Sequence, residues 1–231
     1  STGRHGRFII IMMSSVPFKA EQGLDFLRVY LITDRKRIGK DQFLNAIEKA
    51  LQGGVRALQI REKDLSPNDL LALALEVKVL TQRYNAKLFI NDRADIAAMA
   101  GADGVHLTEA SVQASEIKNK FSDLIVGVST HSIEGARLAE TQGADFITFS
   151  PIYATPSKAS YGSPQGLDPL RQVSQAVRLP VLALGGITLN RVPECLEQGA
   201  FGVAVISDIW DSTHIKQQSS EYTQNFGGNT L

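Results

Sequence analysis

Eight short apolar, β-branched runs recur along the chain, at 29–33, 57–60, 87–91, 104–107, 124–129, 145–150, 180–184 and 202–207. Most are apolar throughout rather than alternating, the pattern of strands in a parallel sheet covered on both faces. Amphipathic stretches stand between them, at 40–52, 66–84, 94–100, 111–120, 133–142, 167–177 and 189–198. Sequential parallel strands need crossovers, and helices of this length supply them. A rhyme supports the repeat: Gly53-Gly54-Val55, Gly101-Ala102-Asp103-Gly104, Gly143-Ala144-Asp145 and Gly199-Ala200-Phe201-Gly202 each stand between a helix and the next strand. Glycine there caps the helix in a left-handed conformation and a tight loop follows. Eight such units predict an α/β fold, a single (β/α)8 TIM barrel. A doubly wound open sheet instead requires a dinucleotide fingerprint after the first strand, and Thr33-Asp34-Arg35-Lys36-Arg37 is not one. The barrel is expected over 27–212, after a poorly constrained N-terminal extension at 1–26 and before a polar tail at 213–231 with one short helix near 215–225.

Composition removes several function classes. With 43% hydrophobic and 21% charged residues in 231, the chain has material for one large core. Lys plus Arg number 24 and Asp plus Glu 24, which excludes a whole-surface basic field for nucleic acid but not a local anion pocket. The one cysteine, Cys195, excludes an internal disulfide framework and a cysteine zinc cluster, and reads as a small buried hydrophobe. No run of 18 apolar residues is present, so no membrane helix is expected. The apolar residues 8–13 after Arg4 and Arg7 are too few for a secretory signal, and a cytoplasmic protein is expected. Whether the chain forms a homo-oligomer stays open. The lone Trp210 reads as core or interface.

Barrel enzymes build their chemistry from the C-terminal strand ends and the loops that follow. Gln59, Arg61 and Lys63 alternate at the end of the second run, so they project to one side. Two cations and an amide at a barrel mouth suit a multiply charged anion such as pyrophosphate. The bland alternative is a solvated charge run with Glu62 and Asp64. Asp92, after the third run, is the best-placed carboxylate for Mg²⁺, which keeps most of its waters and takes one or two carboxylates plus phosphate oxygens. It suits a helix cap equally well. Gly185-Gly186 after the seventh run, completed by Ser207 after the eighth, matches the barrel phosphate site. Thr155, Ser157 and Lys158 lie in a long loop, 151–166, able to carry hydroxyls and a cation over a ligand. His131 is an acid/base candidate. His106 is expected to point elsewhere.

The ordered set Tyr30-Leu31-Ile32-Thr33-Asp34, Gln59-Ile60-Arg61-Glu62-Lys63, Ile90-Asn91-Asp92-Arg93, Ala102-Asp103-Gly104-Val105-His106-Leu107, Gly127-Val128-Ser129-Thr130-His131-Ser132, Thr155-Pro156-Ser157-Lys158 and Gly185-Gly186-Ile187 resembles the thiamine phosphate synthase superfamily, which also holds the thiazole tautomerases. The resemblance implies a transferase that joins hydroxymethylpyrimidine pyrophosphate to thiazole phosphate by a dissociative reaction, releasing pyrophosphate. Its partners would be small phosphorylated substrates. It implies that Gln59, Arg61, Lys63, Asn91 and Lys158 hold the pyrophosphate, with Asp92 on Mg²⁺. Ser129 would contact the pyrimidine, and Thr155, Ser157, Gly186, Ile206 and Ser207 would border the thiazole phosphate. One departure stands out. Synthases usually continue from the strand-4 histidine into Gly-Gln-x-Asp, whose Asp is a second Mg²⁺ ligand. Here Ser111 stands where that Asp belongs and Glu109 replaces the Gln. A hydroxyl is a poor Mg²⁺ ligand, and Glu109 is the candidate to compensate. The resemblance also admits a metal-independent tautomerase, with His131 as its histidine, and a non-catalytic binder of thiazole or thiamine phosphate.

Overall fold

The eight apolar runs become eight parallel strands: β1 (Val29–Ile32), β2 (Ala57–Ile60), β3 (Lys87–Asn91), β4 (Gly104–Leu107), β5 (Ile125–Thr130), β6 (Phe146–Phe149), β7 (Val181–Leu184) and β8 (Gly202–Val205). In a computed structural model, which describes residues 23–155 and 163–227, they pair in sequence order and β1 returns to β8, closing a barrel. The helices are α1 (Arg35–Ile38), α2 (Phe43–Gln52), α3 (Pro67–Arg83), α4 (Ala94–Met99), α5 (Ala114–Lys120), α6 (Ile133–Thr141), α7 (Leu167–Ala176), α8 (Val192–Glu197), α9 (Ser207–Trp210) and α10 (Ile215–Gln224). The chain is thus a single (β/α)8 barrel. Two short helices were not foreseen, α1 after β1 and α9 after β8. Ser207, expected to end the last strand, instead opens α9.

Each strand serves two cores, because successive side chains point to opposite faces. Leu31, Leu58, Ile90, Val105, Val126, Ile147, Ala183 and Val203 point outward into the layer between sheet and helices. Tyr30, Ala57, Phe89, Phe146, Leu182 and Ala204 fill the inside of the barrel. There the rings of Tyr30, Phe89 and Phe146 meet edge to face at 5.3–5.6 Å, a geometry that suits the aromatic quadrupole. A short helical turn, Asp25–Arg28, closes the bottom: Leu27 is fully buried and Phe26 stacks 6.4 Å from Phe89. Trp210 belongs to the core and donates its indole N–H to Ile32 O at 2.7 Å. Cys195 is buried, and burial pushes its thiol up to about 11, so it packs rather than reacts. The C-terminal helix α10 lies against α2 and α9, with Tyr222 fully buried in the outer core.

The glycine rhyme marks a repeated device at the bottom of the barrel. Gly101 and Gly143 take φ of +63° and +81° and end α4 and α6, as only glycine does without strain. Asp103 and Asp145 then each accept the N–H of the preceding strand, Leu88 at 3.0 Å and Val126 at 2.7 Å. Asp103 also takes ammoniums from Lys78 at 2.7 Å and Lys87 at 3.0 Å, and Asp145 pairs with Lys118. Desolvation pushes the Asp103 carboxyl up, but the Leu88 N–H and the two lysines outweigh it and hold it below the usual range. A depressed native pKa contributes stability that is present above the unfolded pKa and is lost as pH falls through the native one. Asp103→Asn is therefore expected to cost about 1–2 kcal/mol at pH 7. In denaturant melts from pH 7 to pH 3, its deficit against the parent should shrink as the parent aspartate protonates.

Candidate active site

Strand register assembles the mouth. Ile60 stands opposite Ile90, Asn91 opposite His106 and Ser129 opposite Thr148. The two-residue period places Gln59, Arg61, Asn91, His106 and Ser129 on the inner face. They differ in depth. Arg61 and Lys63 are exposed at the rim, Asn91 and Ser129 are half-buried, and Gln59 is 1% exposed. Gln59, expected beside the cations, thus lies beneath them and donates Nε2–H to the Tyr30 hydroxyl at 3.1 Å. Lys63 sits beyond the strand, in the turn that leads toward α3. Glu62 does not belong to a solvated charge run. It is buried, accepting from Thr33 Oγ1 at 2.7 Å and from the Arg35 N–H at 3.0 Å, and so pins the β1–α1 turn to β2. Burial outweighs those donors and raises its carboxyl above the usual range.

His106 corrects the sequence reading: it points into the barrel, 2% exposed. Its Nδ1 lies 3.1 Å from the Tyr30 hydroxyl and its Nε2 3.0 Å from Ser129 Oγ. Gln59, Tyr30, His106 and Ser129 thus form one hydrogen-bonded chain from the buried interior to the mouth. Burial, followed by the charge of Arg61, pushes the imidazole down to about 3, so it is neutral near pH 7. His106 shares its strand face with Gly104, and Gly127 lies on the neighbouring inner face. A Cβ at Gly127 would stand 2.8 Å from His106 Nδ1 and collide with the Phe146 ring.

Asp92 is held in an uncommon conformation. Its φ is +61°, and Arg93 N–H bonds Asn91 O at 2.8 Å across it, closing a three-residue turn. Such turns with a positive central φ are rare and strained, and strain of this kind concentrates at functional positions. The helix-cap alternative fails, since α4 begins after Arg93 and has no side-chain cap. The Asp92 carboxylate is exposed and makes no hydrogen bond or ion pair among the described residues. Glu109 turns toward β5, where its Oε1 accepts the N–H of His131 at 3.1 Å. Ser111 folds back on its own loop, accepting from Thr108 N–H at 2.8 Å and meeting Thr108 Oγ1 at 2.9 Å. Among the described residues no group of three or more His, Cys, Asp and Glu side chains is gathered. A lone free carboxylate still fits Mg²⁺, provided substrate phosphate oxygens and water complete the shell.

His131 has a fixed tautomer. Its Nδ1 lies 2.8 Å from Ser150 O, which only accepts, so Nδ1 carries a proton and the neutral ring has its lone pair on Nε2. Gln165 steadies this corner by donating to both His131 O and Ser150 O at 2.8 Å. On the far side of the mouth, Gly185 and Gly186 take φ of +102° and +64°. A Cβ on Gly186 would stand 2.8 Å from Tyr153 Cβ and 2.9 Å from Ala154 O, so the turn and the start of the β6–α7 loop touch backbone to backbone. Arg191 clamps both, donating to Gly186 O at 2.6 Å and stacking 4.2 Å over the Tyr153 ring. Tyr153 in turn donates to Glu194. Thr155 and Ile206 are half-buried and Ser207 is exposed. Ser157 and Lys158 lie outside the described residues.

Three comparisons bear on this geometry. The family model described as thiamine monophosphate synthase matches residues 29–209. A Geobacter sulfurreducens protein that carries the provisional name thiamine-phosphate synthase is 52% identical over 182 residues, 78% of this chain and 85% of that protein. The thiamine-phosphate synthase of Clostridium acetobutylicum is 38% identical over 195 residues, 83% of this chain and 91% of its own length. Among solved structures, the thiamine phosphate pyrophosphorylase of Pyrococcus furiosus superposes with a TM-score of 0.80 at 31% identity, covering 87% of this chain and 95% of that one. With its barrel matched from first strand to last, the chain belongs to the thiamine monophosphate synthase family.

Proposed function

We propose that the chain is a thiamine phosphate synthase, joining hydroxymethylpyrimidine pyrophosphate to thiazole phosphate. The observation that carries this reading is that exposed Arg61 and Lys63, at and just beyond the end of β2, neighbour the end of β3, where Asp92 stands on a strained backbone with a carboxylate that makes no hydrogen bond or ion pair among the described residues. The C–O bond between the pyrimidine methylene and pyrophosphate breaks, and both electrons leave with the pyrophosphate. The thiazole nitrogen then supplies the pair for the new C–N bond. Charge therefore grows on the leaving oxygens, which Arg61, Lys63 and Asn91 would hold, with Lys158 added by resemblance. Fixed cations and donors aimed at developing charge need no reorganisation during the reaction, which is how they lower the barrier. Mg²⁺, when bound, would supply further neutralisation of the pyrophosphate, with Asp92 as its protein ligand. Glu109, committed to the His131 N–H, and Ser111, committed to Thr108, leave that role to Asp92. Ser129 is assigned to the pyrimidine. Gly186, Ile206, Ser207, Thr155 and Ser157 are assigned to the thiazole phosphate.

One observation favours the tautomerase as a second reading: the lone pair that Ser150 O fixes on His131 Nε2 is poised to accept a proton. A single assay separates the two. Purified protein with hydroxymethylpyrimidine pyrophosphate, thiazole phosphate and Mg²⁺ should release pyrophosphate and form thiamine phosphate, and EDTA should stop both. Folded protein that releases none, yet isomerises the thiazole carboxylate phosphate with or without EDTA, would overturn the synthase in favour of the tautomerase.

A further inference from the structure

The buried chain beneath Ser129 has a direction, and the direction can be worked out from its donors. Gln59 Nε2 donates to the Tyr30 oxygen at 3.1 Å. With that lone pair occupied, the phenolic proton of Tyr30 turns to its other neighbour, His106 Nδ1, also at 3.1 Å. A neutral imidazole has one donor and one acceptor nitrogen. If Nδ1 accepts, Nε2 carries the proton and donates to Ser129 Oγ at 3.0 Å. Thr148 Oγ1 approaches the same oxygen as a second donor at 3.4 Å. Both lone pairs of Ser129 are then engaged from below. Among the described residues nothing accepts its own proton, which is left to face the mouth.

We infer that His106 is a positioning residue that fixes Ser129 as a hydrogen-bond donor, so that the mouth selects a ring presenting an unprotonated nitrogen. The inference rests on the synthase reading for the ring's identity and deepens it. An aminopyrimidine offers such a lone pair. The corresponding oxo-pyrimidine carries N–H at a ring nitrogen and would set donor against donor. Sites built to match one polarity reject the other strongly, because the mismatched groups are left unpaired. The packing holds His106 in one orientation: it is surrounded by Tyr30 and Phe146, with ring centroids at 5.5 and 5.6 Å.

The test combines a spectroscopic signature with ligand binding. Long-range ¹H–¹⁵N spectra of the imidazoles, with the His106 signal assigned through its loss in His106→Gln, should show His106 protonated at Nε2. Tyr30→Phe removes the donor to Nδ1 and should shift that signal toward the other tautomer. Calorimetry with hydroxymethylpyrimidine should find affinity about tenfold weaker in Tyr30→Phe and His106→Leu, roughly the worth of one hydrogen bond. His106→Gln, which keeps an acceptor and a donor, should stay within about threefold of the parent. Inorganic pyrophosphate should bind all four proteins alike, which a general collapse of the site would not allow. A parent His106 protonated at Nδ1 overturns the inference, as does equal pyrimidine affinity in Tyr30→Phe and His106→Leu. Failure of the parent to bind hydroxymethylpyrimidine, with the Nε2 proton in place, overturns it through the synthase reading rather than through the relay.

Discussion

Asp92→Asn should lower magnesium-dependent thiamine phosphate formation by about two to three orders of magnitude, the scale expected for losing one focused electrostatic contact in a transition state. The substitution is chosen for its backbone. Asparagine and aspartate both tolerate the left-handed region far better than most residues, so the φ of +61° survives. The turn hydrogen bond from Arg93 to Asn91 involves only main chain and also survives. Thermal melting should therefore be unchanged within about 0.5 kcal/mol while turnover is lost. Asp92→Gly makes the complementary case. Glycine relieves the strained φ, so this variant should be at least as stable as the parent and equally inactive. Steady-state kinetics across Mg²⁺ concentrations, alongside denaturant melts, checks both. Parent-like turnover in Asp92→Asn would remove Asp92 from the reaction.

The largest stability effect is expected at Gly127. A methyl group there would meet the Phe146 ring and stand 2.8 Å from His106 Nδ1, inside a barrel packed with rings on every side. Overpacking of a rigid core typically costs 1–3 kcal/mol and sometimes more. Gly127→Ala should fall at the upper end, about 3 kcal/mol or roughly 10 °C in melting temperature for a chain of this size. The two atoms that block the methyl on the aromatic side belong to the distal edge of Phe146. Phe146→Leu removes that edge and alone opens a cavity, costing about 1–3 kcal/mol. Combined, the two changes should partly cancel, with a coupling energy of about 1 kcal/mol or more in a double-mutant cycle. Strict additivity would mean that the glycine is not there to admit the ring.

The alternation of strands and helices was legible because both signals are long and repeated, and the glycine rhyme was legible because a left-handed cap favours glycine over nearly every other residue type. The exposed rim was legible too: Arg61, Lys63 and Asp92 are charges at and just beyond strand ends, and all three face solvent. The layer below was not. A strand with apolar residues on both faces, such as Gly104 to Leu107, does not say in sequence which parity points inward, so His106 was misplaced. Gln59 followed the same parity as Arg61 but ended one layer deeper, because depth depends on where the neighbouring strands stop. Glu62 looked like part of a solvated run, and only the fold shows Thr33 and Arg35 arriving to bury it. The short α1 and α9 span four residues each, barely one turn, so no hydrophobic period repeats within them.

Closure of the barrel also orders events during synthesis. Strand β1 needs β8 as its second neighbour, and α2 needs α10, whose Tyr222 hydroxyl bonds Asp208 at 2.7 Å. Until the segment through Gln224 has emerged from the ribosome, the first strand keeps an open edge and α2 an uncovered face. At about 5–20 residues per second that exposure lasts many seconds. The nascent chain is in this way an unclosed sheet with a sticky leading edge, the very stage at which a holdase chaperone has most to shield.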